Sequence, residues 1–267
     1  MWRDRRRPAL ISVHRGLWGA APENSLPAIR AGAEFGIVEI DVQMSRDGVP
    51  VVMHDTSLAR MTGVAKDVGE CLASEVVGLP LRAGAGGAGA GITSEAVPDL
   101  AGAVAARPEG AFFDIDVKHP SEVDAVAAWL ARNGAVGAGS LKIDVAGGDD
   151  VARLRALEDA HGLMVMAKVD LSRSGPDLIA QLAGEGVAAA EVWFDDLAVL
   201  AEAARAAGET MAISTYTLDP VHCCGLSDAA ALTDPDAVWG ALLRAGVTVI
   251  MTDRAPDLAA YLDGLDS

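Results

Sequence analysis

Five short clusters in this chain hold residue types that do chemistry. They are His14-Arg15-Gly16, Pro22-Glu23-Asn24-Ser25, Glu39-Ile40-Asp41-Val42, a run from Asp47-Gly48 to His54-Asp55, and Asp114-Ile115-Asp116-Val117-Lys118. The arginine beside His14 favours anion recognition, because a guanidinium offers phosphate oxygens a planar fork. In the second cluster, Asn24 and Ser25 read as a turn and a helix N-cap, whereas capping does not call for the carboxylate of Glu23. Period-two alternation puts Glu39 and Asp41 on one face of a strand and Ile40 and Val42 on the other. Two carboxylates side by side are costly through desolvation and mutual repulsion. A hard divalent cation with oxygen ligands removes both costs, and a salt bridge to Lys or Arg is the alternative. Alternation likewise gathers Asp114, Asp116 and Lys118 on one face. Asp116 suits a third metal ligand, and Lys118 suits a phosphate or a partner for that carboxylate. Asp47-Gly48 is a hairpin-type turn. His54 projects from the end of the short apolar strand that follows, with Asp55 placed to orient its imidazole or to cap the next turn. Two histidines (His14, His54), acids, an arginine and a lysine together supply general acid, general base, metal site and anion clamp.

These clusters sit where strands end. Eight apolar runs read as strands: Ala9–His14, Val38–Gln43, Ala111–Val117, Leu141–Val145, Leu163–Val169, Ala189–Phe194, Met211–Thr215 and Thr248–Thr252. Ala-rich amphipathic stretches lie between them, several starting after Ser, Asp or Pro and ending at Gly36, Gly134, Gly208 or Gly246. Strands alternating with helices predict a parallel sheet, and eight such pairs predict closure into a (β/α)8 barrel, with an open doubly wound sheet as the alternative. In such a barrel the apolar residues of a strand face the helices, and the carboxylates point into the mouth. About seventy residues separate the second and third strands, far more than one βα connection needs. Residues 56–98 are therefore expected to form an insertion on the catalytic face, covering the site as a lid or wall. Val49–His54 reads as an extra strand just before it, and residues 83–91 (AGAGGAGAG) as a flexible tether within it.

The 267 residues, 51% hydrophobic and 22% charged, suffice for one large core, so a single domain over 1–267 is expected. Aromatics make up only 4%, so aliphatic side chains must fill the interior. A formal charge of −17 argues against nucleic acid and stable association with anionic membranes. The basic cluster Arg3, Arg5, Arg6 and Arg7 reads as a solvated terminus with no apolar run after it of signal-peptide length. Cys71, Cys223 and Cys224 make a poor disulfide framework, and a cytoplasmic location is the expectation. His222-Cys223-Cys224 lacks a second ligand pair at zinc spacing and reads as a loop; His119 and His161 are expected to be exposed. Lys142 and Lys168 could equally reach a phosphate or pair with acidic neighbours. Oligomeric state is left open.

The motifs, in their order and spacing, resemble those of the glycerophosphodiester phosphodiesterases. That family's pattern has HRG after strand one, a PENT-like turn, E-x-D, a DG turn and a strand ending in HD. Later landmarks are similar: Val97-Pro98-Asp99-Leu100, the D-x-K at Asp116 to Lys118, and Met251-Thr252-Asp253-Arg254. The resemblance implies a TIM barrel with an inserted subdomain and metal-dependent hydrolysis of phosphodiesters, most simply glycerophosphodiesters to glycerol 3-phosphate and an alcohol. It implies Mg²⁺ or Ca²⁺ on Glu39, Asp41 and Asp116, phosphate held by Arg15 and Lys118, and His14 and His54 as the acid–base pair. Glu23 and Asp55 are candidates for supporting roles. It also implies attack by a neighbouring substrate hydroxyl, giving a cyclic phosphate that water opens. Two departures stand out: Asp116 replaces the usual Glu, as in the related sphingomyelinase D-like toxins, and Tyr216-Thr217 replaces the usual Trp-Thr. A lyase stopping at the cyclic product and a binding protein without turnover are the alternatives, the latter opposed by intact His14, His54 and metal acids.

Overall fold

In the computed structural model, residues 8–265 are described; the basic cluster Arg3 to Arg7 lies outside them. Packing divides the chain into two units, one spanning Val13–Leu141 and the other comprising the described residues before Val13 and those from Lys142 onward.

The first unit takes the end of β1 (Leu10–Val13), then α1 (Leu26–Gly32), β2 (Ile37–Met44), β3 (Pro50–Val52), α2 (Ala59–Thr62), α3 (Ala73–Val76), β4 (Pro80–Arg82), β5 (Ile92–Ala96), α4 (Leu100–Ala106), β6 (Phe113–Val117), α5 (Val123–Arg132) and the start of β7 (Gly139–Asp144). The caps lie where the sequence suggests. Ser25 accepts from the backbone N of Ala28 at the start of α1, and Asp99 from that of Gly102 at the start of α4. Strand β2 pairs in parallel with β6, placing Glu39 opposite Asp114 and Asp41 opposite Asp116. All of β2 except Met44 is buried, so its acids are held away from bulk water.

Residues between 56 and 98 share a buried cluster with Val51 and Met53 at the end of β3. Val51, Met53, Leu58, Met61, Val68, Cys71, Val76, Leu81 and Val97 are buried together, with β4 and β5 forming a separate antiparallel pair. Each large aliphatic side chain buried there contributes on the order of 1.5–3 kcal/mol, enough to order a segment without long helices. The stretch 83–91, expected to be a flexible tether, is instead a pinned hairpin loop. The Ala83 amide donates to Gly91 O (2.9 Å), the Glu23 amide to Gly84 O (3.0 Å) and the Gly87 amide to Arg60 O (2.8 Å). At Gly86, φ is +72° and an added Cβ would lie 2.6 Å from Arg60 O, so glycine here serves close approach and not motion.

The second unit contains the rest of β7, α6 (Gly148–His161), β8 (Met164–Asp170), α7 (Leu171–Gly184, kinked at Gly175), β9 (Ala189–Trp193), α8 (Leu197–Ala207), β10 (Ala212–Tyr216), α9 (Asp228–Ala231), α10 (Ala241–Arg244), β11 (Val249–Thr252) and α11 (Ala255–Leu265). Before β11, a π-turn at Asp236–Gly240 runs into α10. A buried brace ties this unit together. Asp228 accepts from Thr217 Oγ1 (2.5 Å), Thr252 Oγ1 (2.6 Å) and the Asp253 amide (2.8 Å). Burial nevertheless pushes the Asp228 carboxyl above its ordinary value.

The hydrogen-bonding order of the strands is β1-β11-β10-β9-β8-β7-β6-β2, with β1 also paired to β2 and β3 added antiparallel to β2. This is a closed eight-stranded (β/α)8 barrel, with each of the eight sequence-read strands in place. Among the described residues no helix is long and apolar enough to cross a membrane.

Candidate active site

The acids of β2 and β6 converge because those strands are neighbours in register. Carboxylate oxygens of Glu39, Asp41 and Asp116 all lie within 4.8 Å of one another. Glu39 and Asp41 are 2% and 1% exposed, so their charges have little water to solvate them. The protein itself meets part of that need. Lys118 Nζ donates to Asp41 Oδ1 (3.1 Å) and Asp116 Oδ2 (2.9 Å), and Arg15 Nε lies 3.2 Å from Asp41 Oδ2. Both readings of the acid pair thus meet here, a salt bridge at Asp41 and an oxygen cluster of metal-ligand type. Burial alone would raise the Asp41 carboxyl; Lys118 and Arg15 outweigh it and hold Asp41 below the usual range. The same acids raise Lys118 against the opposing pull of its own burial.

The turn after β1 aims Arg15 at this cluster. Arg15 and Asn24 both adopt left-handed backbone, φ 55° and 57°, a conformation costing non-glycine residues on the order of 1–3 kcal/mol. The Asn24 amide donates to Arg15 O (2.9 Å), so the two hold each other. The Arg15 amide reaches Glu39 Oε2 (2.9 Å), while Asn24 Nδ2 donates to Asp41 Oδ2 (2.8 Å) and its Oδ1 accepts from the Asp41 amide (3.2 Å). Gly16 makes the turn possible: at φ +76°, any Cβ would meet the Ala28 carbonyl carbon at 2.5 Å. His14, half-buried, occupies the same turn immediately after β1.

His54 belongs to a chain of charges. Its Nδ1 is 2.6 Å from Asp55 Oδ1, and Arg60 grips Asp55 through Nε (2.6 Å) and Nη2 (2.9 Å). Arg60 Nη2 also donates to Glu23 Oε1 (2.6 Å), and Arg15 Nη1 donates to both Glu23 oxygens at 3.1 Å. The hydrogen bonds from Arg60 lower the Asp55 carboxyl to about 2, against a smaller opposing effect of burial. Gln43 fixes the backbone of this turn, its Nε2 donating to the carbonyls of Met53 (2.8 Å), His54 (3.1 Å) and Asp55 (2.7 Å). Glu23, Asp41, Asp55 and Asp116 therefore share three permanent cations, Arg15, Arg60 and Lys118, while Glu39 accepts from the Arg15 backbone amide. Hard oxygen donors with excess negative charge fit a divalent cation, and Glu39, Asp41 and Asp116 are the residues that could hold one.

Sequence reasoning missed three members of this arrangement. Gln43 had a usable signal, since it follows Glu39 and Asp41 at the same period of two. Asn24 reads as a turn residue, and nothing local distinguished Arg60. In the second unit Lys142 pairs with Glu191 (2.7 Å) and Lys168 with Asp144 (3.5 Å), beside a cavity of about 270 Å³ that Trp193 and Tyr216 help line. His119 and His161 are half-buried, not exposed. His222, Cys223 and Cys224 form part of no metal-type cluster among the described residues.

The fold and the site place the chain in a class of (β/α)8 barrels with a cation-flanked cluster of acids on the early strands. More narrowly, it belongs to the glycerophosphoryl diester phosphodiesterase family, matching it over residues 14–257. Among similar curated proteins, a glycerophosphoinositol inositolphosphodiesterase of Mus musculus is 49% identical over 61 residues, 22% of this chain and 11% of that protein. A glycerophosphodiester phosphodiesterase 1 of Rattus norvegicus is 51% identical over 52 residues, 19% of this chain and 16% of that one. These alignments span well under a fifth of the relatives' length. Solved structures similar in fold include a glycerophosphoryl diester phosphodiesterase from Parabacteroides distasonis (TM-score 0.77, 20% identity, 98% of this chain and 88% of that one). A second is an Oleispira antarctica phosphodiesterase in complex with the product sn-glycerol-3-phosphate (TM-score 0.67, 20% identity, 97% of each chain).

Proposed function

We propose that this protein hydrolyses glycerophosphodiesters, releasing glycerol 3-phosphate and an alcohol, in a reaction that depends on a divalent cation held by Glu39, Asp41 and Asp116. The observation that carries this reading is the convergence of those three acids beside Arg15 and Lys118, an arrangement of oxygen donors and fixed cations suited to a phosphate group. Family membership and the product named for the Oleispira antarctica structure support glycerophosphodiesters as the class. A bound Mg²⁺ or Ca²⁺ supplies Lewis acidity toward a phosphate oxygen. Arg15 offers a planar fork and Lys118 a point charge to the remaining oxygens. His54, with Nδ1 held by an ionised Asp55, keeps Nε2 available to accept or return a proton. His14, one residue before Arg15, takes the complementary proton-transfer role.

The decisive assay offers purified protein a panel of glycerophosphodiesters with Mg²⁺, Ca²⁺ or EDTA, and identifies products by ³¹P NMR. Glycerol 3-phosphate formed only with cation supports the reading, and a cyclic phosphate as end product would reassign the protein as a lyase. Full turnover in EDTA with no metal in the protein, or no turnover of any member, would overturn it.

A further inference from the structure

Arg60 lies on α2, within residues 56–98, and its guanidinium also reaches Asp55 and Glu23 outside that segment. It grips Asp55 with two nitrogens, Nε to Oδ2 (2.6 Å) and Nη2 to Oδ1 (2.9 Å). A carboxylate held by such a fork cannot rotate without breaking two charge-assisted bonds. Its Oδ1 therefore stays aimed at His54 Nδ1, 2.6 Å away. An ionised carboxylate only accepts, so the imidazole proton is drawn to Nδ1 and Nε2 becomes the atom that exchanges protons. On its other side Arg60 Nη2 holds Glu23 Oε1 (2.6 Å), and Glu23 in turn takes Arg15 Nη1 at 3.1 Å. The remaining nitrogen, Nη1, donates to Ala85 O (2.5 Å), and Arg60 O accepts from the Gly87 amide (2.8 Å). One side chain thus ties the glycine-rich loop of the insertion to both the histidine and the arginine of the site.

We infer that Arg60 is a positioning residue for catalysis: through Asp55 it sets the tautomer and aim of His54, and through Glu23 the aim of Arg15. This rests on the reading that His54 transfers a proton and Arg15 binds phosphate. The segment that carries Arg60 is thereby a working part of the site.

The test measures kcat, KM and cation affinity for Arg60→Met and Arg60→Lys, each alone and with His54→Ala. Loss of a residue that orients a reacting group costs roughly 10–100-fold, so Arg60→Met is expected to lower kcat by ~10–100-fold with cation affinity within about twofold. Arg60→Lys, a point charge without the fork, should recover part of that. In the His54→Ala background, where no imidazole remains to be aimed, Arg60→Met should lower kcat by a much smaller factor than in the native background. Should Arg60→Met fail to fold, ¹⁵N NMR of the histidine ring in Arg60→Lys gives an independent readout. In the neutral ring, the native protein should show His54 protonated at Nδ1, and Arg60→Lys a mixture of tautomers. Equal losses with and without His54, or an unchanged tautomer in Arg60→Lys, would reduce Arg60 to a structural brace and overturn the inference. A His54→Ala protein that turns over at the native rate would instead overturn the reading beneath it, and the inference with it.

Discussion

Replacing Asp41 by Asn separates the two things this carboxylate does. The substitution keeps the shape and deletes one charge at a position 1% exposed. In the native protein Asp41 meets Arg15 Nε at 3.2 Å, Lys118 Nζ at 3.1 Å and Asn24 Nδ2 at 2.8 Å. An amide offers one accepting oxygen where the carboxylate offered two, so at least one of these donors must face another donor. Breaking a buried ion pair from one side costs ~3–5 kcal/mol. The lower end applies here, because Lys118 retains Asp116 (2.9 Å) and Arg15 retains Glu23 (3.1 Å). In a domain of this size ~3 kcal/mol corresponds to a fall in Tm of roughly 6–12 °C in EDTA. Cation then distinguishes the roles. At a hundred times its Kd, a ligand of the native state adds ~2.7 kcal/mol, so the native Tm should climb by roughly 5–10 °C. The variant, lacking a charged ligand, should scarcely move over the same range. Thermal unfolding followed by circular dichroism across stepped Mg²⁺ and Ca²⁺ concentrations, with turnover measured in parallel, provides the comparison. A large gap in EDTA that stays constant as cation is added would mean that Asp41 is an ion-pair residue only. The assignment of the acids to a metal would then be wrong.

His14→Ala and His54→Ala should each lower kcat by at least ~10²-fold, and the double variant by much less than the product of the two losses; single-turnover rates check this, and a near-native rate in either variant would make that residue structural. The Asp55 carboxyl is lowered to about 2 from 3.8, so its stabilising effect is complete above the ordinary value and is lost as pH falls through the folded one. Denaturant unfolding of native protein and Asp55→Asn should accordingly differ most above pH ~5 and converge between pH ~4 and ~2; a difference that is constant from pH 6 to pH 3 would contradict the Arg60–Asp55–His54 arrangement.

Local pattern determined a large part of this protein. The eight ring strands, the capped helices between them and the acids of β2 and β6 follow from periods of 2 and 3.6 and from the residues that start and stop helices, because these depend on neighbours along the chain. Alternation also sorted Glu39 and Asp41 from Ile40 and Val42 before any partner strand was known. What the pattern could not supply was distance between segments far apart in sequence. That β2 lies beside β6 with Asp41 opposite Asp116 is a matter of register, set when the ring closes. The left-handed turn at Arg15 becomes tolerable only because Asn24, Glu39 and Asp41 hold it in place. Composition misled most at residues 83–91, where a run of Gly and Ala reads as freedom of the backbone. At Gly86 the same absence of a side chain lets the loop pack against Arg60, beside hydrogen bonds from the Gly87 amide to Arg60 O and from the Glu23 amide to Gly84 O. Arg60 itself sits 37 residues from Glu23 along the chain. No local rule connects the two, since only the packing of the buried cluster around Leu58 and Met61 brings that guanidinium to the carboxylates it holds.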